Sequence, residues 1–269
     1  MKFSLSLILL FLSASLPASV TFKKNIPYCQ TRSGSIFLDL YQPDGSNLPV
    51  IVFLHGGGWA YGSKDGFHEQ LLMTANKKFV AIAINYRLVR EENNVVIDPY
   101  PAPLEDVKCA LAWIKKEGRS HGIDPNRIGL AGESAGAHLA LMAGLTNPTL
   151  IKGILNLYGP TEITSLYDEG PKLRDLILLT FGQERGGIQW VAGSPVNFMK
   201  KDSPPILTIH GTIDDVVPYH QAEILHRESI KVSARHQLIT RPLEGHGLNQ
   251  ESRNRAFEEG LQFFKRLMP

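Results

Sequence analysis

Charge of one sign is what this chain lacks most plainly: 28 Lys and Arg stand against 26 Asp and Glu in 269 residues. With no net basic field to hold a nucleic acid and no acidic tail, the expected partner is a small molecule. The nine histidines show no metal-ligand spacing, and no glycine-rich loop ends in the lysine that cradles phosphates. A metal or nucleotide mechanism therefore has little support, and no cofactor is expected. Cysteine is scarce, with only Cys29 and Cys109. The two are free to pair in an oxidising compartment. Cys109 falls inside a helical pattern and reads as a buried small hydrophobe, so the expectation leans to free thiols with pairing left open. Internal repeats, low-complexity tracts and linkers are also missing, so residues 20–269 are expected to form one domain with one active site.

Long hydrophobic runs are confined to the N-terminus. Lys2 precedes an apolar stretch from Phe3 to Leu12, followed by Ser13, Ala14, Ser15, Pro17 and Ala18. That is the layout of a secretory signal peptide, and the run is shorter than the roughly 20 residues that span a bilayer. Residues 1–19 are thus expected to direct export and to be removed, leaving a secreted or periplasmic protein with no stable membrane anchor. A cut after Ala18 puts Leu16 where a small residue is preferred, so the cleavage point stays open.

The remainder alternates strand and helix. Ser35 to Tyr41 places Ile36, Leu38 and Leu40 on one side and predicts a half-buried strand near a sheet edge. Val50–Leu54 and Val80–Ile84 are short continuous apolar runs, as in strands covered on both faces. Pro103 to Lys116 carries apolar residues at helical spacing. Strands at Arg127–Ala131, Ile151–Leu157, Ile206–His210 and Gln237–Thr240 then alternate with helices at Ala135–Leu145, Tyr219–Val232 and Glu251–Leu267. This predicts an α/β fold with a mostly parallel, doubly wound sheet and helices on both faces. Gly159 to Pro205 is too long for an ordinary connection and predicts a small cap over the site.

Three segments carry chemistry. Gly132-Glu133-Ser134-Ala135-Gly136 follows a predicted strand and opens a predicted helix, the context of a nucleophile elbow, in which small residues must flank a strained serine. A serine hydroxyl needs a base to take its proton and a third group to orient that base. After the last two strands come Asp214-Asp215 and Gly245-His246-Gly247, which supply acid and base in the chain order this fold requires. The other histidines, among them His138 one turn along the elbow helix, read as structural or solvated. Finally, His55-Gly56-Gly57-Gly58-Trp59 directly follows a strand. Consecutive glycines present backbone N–H groups without obstruction, so Gly57, Gly58 and Ala135 are assigned to an oxyanion hole.

In this order, these segments resemble the esterase branch of the α/β-hydrolases, especially the bacterial xylan and feruloyl esterase-like group related to hormone-sensitive lipase. The similarity runs from about Ser35 to the C-terminus and includes Tyr86-Arg87, Tyr100-Pro101-Ala102 through Asp106, Asp124-Pro125-Asn126-Arg127, Ser194-Pro195 and His210-Gly211. The resemblance implies the α/β-hydrolase fold and the triad Ser134, Asp214 and His246, with Asp215 as the fallback acid. It also implies a serine esterase of small acyl esters, carbohydrate acetyl groups among them. An amidase or formamidase with the same triad and a catalytically silent binding module stand as alternatives. Cap residues such as Leu173 and Leu176 are expected to pack over the site and Trp59 and Tyr61 to close the acyl side, favouring short acyl groups; the alternative is that these residues are ordinary core and the pocket is open.

Overall fold

The computed structural model describes residues 19–269, so the signal-peptide reading of residues 1–19 lies almost entirely outside the described residues. In chain order the elements are β1 (Val20–Thr31), β2 (Gly34–Pro43), β3 (Leu48–Leu54), α1 (His68–Asn76), β4 (Val80–Ile84), β5 (Arg90–Glu92), β6 (Val95–Ile97), α2 (Ala102–Glu117), β7 (Ile123–Glu133) and α3 (Ala135–Thr146), followed by β8 (Ile151–Leu157), α4 (Ile163–Glu169), α5 (Arg174–Phe181), α6 (Ile188–Ala192), β9 (Ile206–Gly211), α7 (His220–Lys231), β10 (His236–Arg241) and α8 (Gln250–Leu267). Eight strands form one sheet in the order β1-β2-β4-β3-β7-β8-β9-β10. β1 and β2 run antiparallel, as do β2 and β4, and every other pairing in this sheet is parallel. This is the doubly wound α/β-hydrolase architecture.

The period-two alternation of side chains splits the central strands between two cores. Val50, Val52 and Leu54 of β3 join Leu104 and Leu111 of α2, Leu139 of α3 and the cap residues Ile163, Ile177 and Trp190 on one face. Ile51 and Phe53 join Leu71 of α1 and Phe257, Leu261 and Phe264 of α8 on the other. Both faces of β3 and β4 are thus covered, which explains why their sequences are unbroken apolar runs. Residues 159–205 fold into the short helices α4, α5 and α6 with intervening turns.

β2 lies one strand in from the sheet edge, as expected, with the antiparallel β1 outside it, but Leu38 to Tyr41 are buried rather than half-buried. β1 escaped notice because its pairing is interrupted twice, around Asn25 at φ 56° and around Pro27, leaving no regular alternation to read. The cysteines are not free thiols: Cys29 of β1 and Cys109 of α2 form a disulfide with a Cα–Cα distance of 5.9 Å. Cys109 does lie on a helix, but on the side facing β1, and it is only half-buried.

Candidate active site

The site assembles at the carboxyl ends of the parallel strands β3, β7, β9 and β10. β7 runs straight into α3, and the junction residue Ser134 has φ 53° and ψ −123°, dihedrals that L-residues avoid and surrounding structure must impose. The flanking glycines are sterically required. A Cβ on Gly132 would lie 2.4 Å from the Gly136 carbonyl, and one on Gly136 would lie 2.1 Å from the Leu54 carbonyl oxygen. The Ser134 N–H donates to the Leu157 carbonyl at 2.9 Å, tying the elbow to β8.

His246 and Asp214 reach Ser134 from the loops after β10 and β9. The Ser134 Oγ lies 3.0 Å from His246 Nε2, and His246 Nδ1 lies 2.8 Å from Asp214 Oδ2. A carboxylate only accepts, so Nδ1 carries the proton and the Nε2 lone pair faces the serine hydroxyl. Asp214 Oδ1 accepts the N–H groups of Val216 and Val217 at 3.0 and 2.9 Å. Its other oxygen also lies 3.2 Å from His210 Nε2. Burial pushes the Asp214 pKa up, but hydrogen bonds from His210, His246 and the Val216 amide outweigh burial and hold the carboxyl well below its usual range. Asp215, the fallback, is exposed and forms an ion pair with Lys172. The two loops are also tied to each other: Ile213 N–H donates to the Glu244 carbonyl at 3.1 Å, and Leu243 N–H to Thr212 Oγ1 at 2.9 Å.

The glycine loop after β3 packs against the elbow, and a Cβ on Gly56 would lie 3.2 Å from Ser134 Cβ. Gly57 and Gly58 have φ of 116° and 58°, so both occupy the region that favours glycine. Tyr61 N–H closes the turn on the Gly57 carbonyl at 2.9 Å, and among the described residues no protein acceptor meets the N–H groups of Gly57, Gly58 or Ala135. Ala135 opens α3, so its N–H also sits at the positive end of a helix. His55 braces the loop from behind, donating from Nδ1 to the Gly56 carbonyl at 2.8 Å while stacked on Tyr86. Above the loop sits α5 of the cap: a Cβ on Gly58 would lie 2.5 Å from Leu176 Cδ1 and 3.9 Å from Leu173 Cδ2.

Of the two aromatic residues assigned to substrate, only Tyr61 is exposed, at 66%. Trp59 has no accessible surface and belongs to the core. It gives its indole N–H to His138 Nδ1 at 3.1 Å and packs edge-on against Phe181. That correction has a simple cause: Trp59 has φ 61°, a left-handed turn that directs the ring into the fold. His138 passes the connection on to the cap, donating from Nε2 to the Gly193 carbonyl at 2.7 Å, and burial lowers its pKa to about 4. The sequence also gave no sign of a brace behind the base. Arg253 of α8 holds Glu133 through Nε at 2.6 Å, Tyr158 donates to the same carboxylate at 2.9 Å, and the Tyr158 ring lies edge-on to His246 at 5.1 Å. Glu133 and Arg253 are 120 positions apart, a separation that no local pattern reveals.

Comparison with known proteins identifies the family and fold of the chain. The chain is 32% identical over 191 residues to the probable carboxylic ester hydrolase LipM of Mycobacterium tuberculosis, covering 65% of this chain and 43% of LipM. It is 29% identical over 222 residues to esterase LipC of the same organism, covering 75% of this chain and 53% of LipC. It thus spans about half the length of the curated relatives it matches. A truncated carbohydrate esterase from gut microbiota superposes with a TM-score of 0.79 over 93% of this chain and 97% of that one, at 24% identity, which shows the shared fold. The family match runs across residues 38–228 and takes in the glycine loop, the elbow and the acid, and the chain belongs to the BD-FAE family.

Proposed function

We propose that this protein is a serine carboxylic ester hydrolase acting on small acyl esters, with acetyl groups on carbohydrate as the favoured class. One observation carries the reading: the unbroken chain from Ser134 Oγ through His246 to Asp214, with links of 3.0 and 2.8 Å. In the first step Ser134 Oγ attacks the ester carbonyl carbon while its proton passes to His246 Nε2. The carbonyl oxygen becomes an oxyanion, stabilised by the N–H groups of Gly57, Gly58 and Ala135. Asp214 accepts from Nδ1 throughout and stabilises the imidazolium. His246 then gives the proton from Nε2 to the leaving alkoxide oxygen, the C–O bond breaks, and an acyl-enzyme remains. Water repeats the sequence, losing a proton to His246, and releases the carboxylic acid.

Catalysis by these groups requires no metal or organic cofactor. The leaving oxygen must lie beside His246 Nε2 to receive its proton, so the acyl chain points the other way, across the oxyanion loop and under α5. Leu176 against Gly58 leaves little depth there, which supports short acyl groups, and the exposed Tyr61 ring offers an apolar face at the mouth. The carbohydrate class draws on the likeness to the gut carbohydrate esterase. Export is part of the proposal, supported by the signal-like N-terminal layout and by the Cys29–Cys109 disulfide, a bond that persists in oxidising compartments. The test is hydrolysis of nitrophenyl acetate and acetylated xylo-oligosaccharides against matched anilides. Ester turnover that disappears in Ser134→Ala supports the reading. Preferential cleavage of anilides makes the protein an amidase, and no turnover of either leaves a binding module.

A further inference from the structure

We propose that His210 is a positioning residue for this reaction, acting on His246 through Asp214; the inference rests on the triad reading above. His210 is the penultimate residue of β9 and has no accessible surface. Its Nε2 lies 2.8 Å from the Val217 carbonyl oxygen and 3.2 Å from Asp214 Oδ2. Both of those oxygens only accept, so Nε2 carries the proton; its hydrogen bond goes to the Val217 carbonyl, and Asp214 Oδ2 is the longer, less well-aligned second acceptor. The other ring nitrogen, Nδ1, is buried with no hydrogen-bond partner among the described residues. A residue that merely filled this space would do so better without an unsatisfied nitrogen, so the histidine is explained by what Nε2 does.

The geometry shows what that is. Asp214 Oδ1 is fixed by the Val216 and Val217 amides, while Oδ2, the oxygen that holds His246, has only the two imidazoles as partners among the described residues. Donation from His210 fixes the plane of the carboxylate, and the same N–H on the Val217 carbonyl anchors the turn that supplies the two amides. It also draws off part of the Oδ2 charge that His246 would otherwise feel alone. The other ionisable groups facing this cluster are Tyr219, edge-on to His210 at 5.8 Å, Tyr158, edge-on to His246 at 5.1 Å, and the surface pair Asp215 and Lys172. None of them replaces the donor on Oδ2.

The experiment compares His210→Leu and His210→Gln in the full chain. His210→Leu is expected to lose tenfold or more in kcat with KM within twofold, and the acid limb of kcat/KM should move to higher pH, because more of the Asp214 charge then acts on the imidazolium. His210→Gln keeps a side-chain N–H donor and is expected to recover most of kcat and the original limb. A folded His210→Leu with unchanged kcat and limb overturns the proposal, as does a Gln variant no better than Leu. Should the variants not fold, imidazole ¹⁵N NMR of the unaltered protein decides. A protonated Nε2 and bare Nδ1 on His210 are expected, and the opposite tautomer overturns the assignment. Failure of the unaltered protein to hydrolyse any ester would instead count against the proposed activity, while the NMR pattern would still report on His210.

Discussion

Leu176 on the cap helix α5 sits where a Gly58 side chain would be, its Cδ1 2.5 Å from that ideal Cβ position. The acyl chain must run into the same space if the leaving group faces His246. Leu176→Ala removes three carbons and opens room for about three methylenes, each worth about 0.8 kcal/mol when buried. At about 1.36 kcal/mol per factor of ten, each accepted methylene adds about fourfold, and three add about 60-fold, to kcat/KM for a longer acyl group relative to acetyl. The full factor is reached only if the space stays open; collapse of Leu173 and Leu179 into it would lower the gain. The assay is kcat/KM for nitrophenyl esters with acyl chains of two to twelve carbons, unaltered protein against variant. The unaltered protein should favour two to four carbons, and the variant should shift its maximum toward five to seven. A maximum at eight or more carbons in the unaltered protein, or identical profiles for both, would refute the placement of the acyl chain under α5.

Other expectations follow from the same structure. Asp214→Asn should leave His246 in the wrong tautomer and cost about ten-thousand-fold in kcat by analogy with serine proteases, while Asp215→Asn, which breaks only a surface pair with Lys172, should cost less than threefold; steady-state kinetics on both variants checks this. The Cys29–Cys109 bond closes a loop with a sequence separation of 80, so the double Ser variant should lose about 4.5 kcal/mol on the chain-entropy estimate, read as a lowered urea midpoint; an unchanged midpoint refutes it. Burial lowers the pKa of His138 to about 4 and that of His236 to about 3, against about 6.5 unfolded. The unfolded chain therefore binds more protons below pH 6.5, and stability that is full above that value falls as pH drops toward 4, by up to about 2.7 kcal/mol per pH unit with both sites contributing. Urea unfolding at pH 7 and pH 5 measures it, and equal midpoints would contradict it.

The sequence was most legible where one physical rule acts alone. Val50–Leu54 and Val80–Ile84 are covered on both faces, so their apolar runs announce parallel strands. Gly132 and Gly136 are demanded by backbone contacts at the elbow, so that motif is visible too, and the candidate acid and base stand out because they follow the last two strands. Legibility failed where distant parts of the chain meet. β1 is broken by Asn25 and Pro27 and is held by its register with β2, which no local pattern predicts. Cys109 reads as a core residue until the packing of α2 beside β1 brings Cys29 to it. Trp59 was placed by its proximity to the glycines, whereas its own left-handed backbone turns it into the core against His138 and Phe181. The brace from Arg253 through Glu133 and Tyr158 to His246 depends on where α8 docks, and so does not register in any single segment.

The central claim is that Ser134 is a nucleophile activated by His246. The most direct measurement is covalent labelling with a fluorophosphonate, which reacts with an activated serine, followed by peptide mass spectrometry. The account predicts one adduct, on the peptide containing Ser134, that is absent in Ser134→Ala and forms at least a hundredfold more slowly in a folded His246→Ala. An adduct on another serine, or labelling of Ser134 at the same rate without His246, would contradict it.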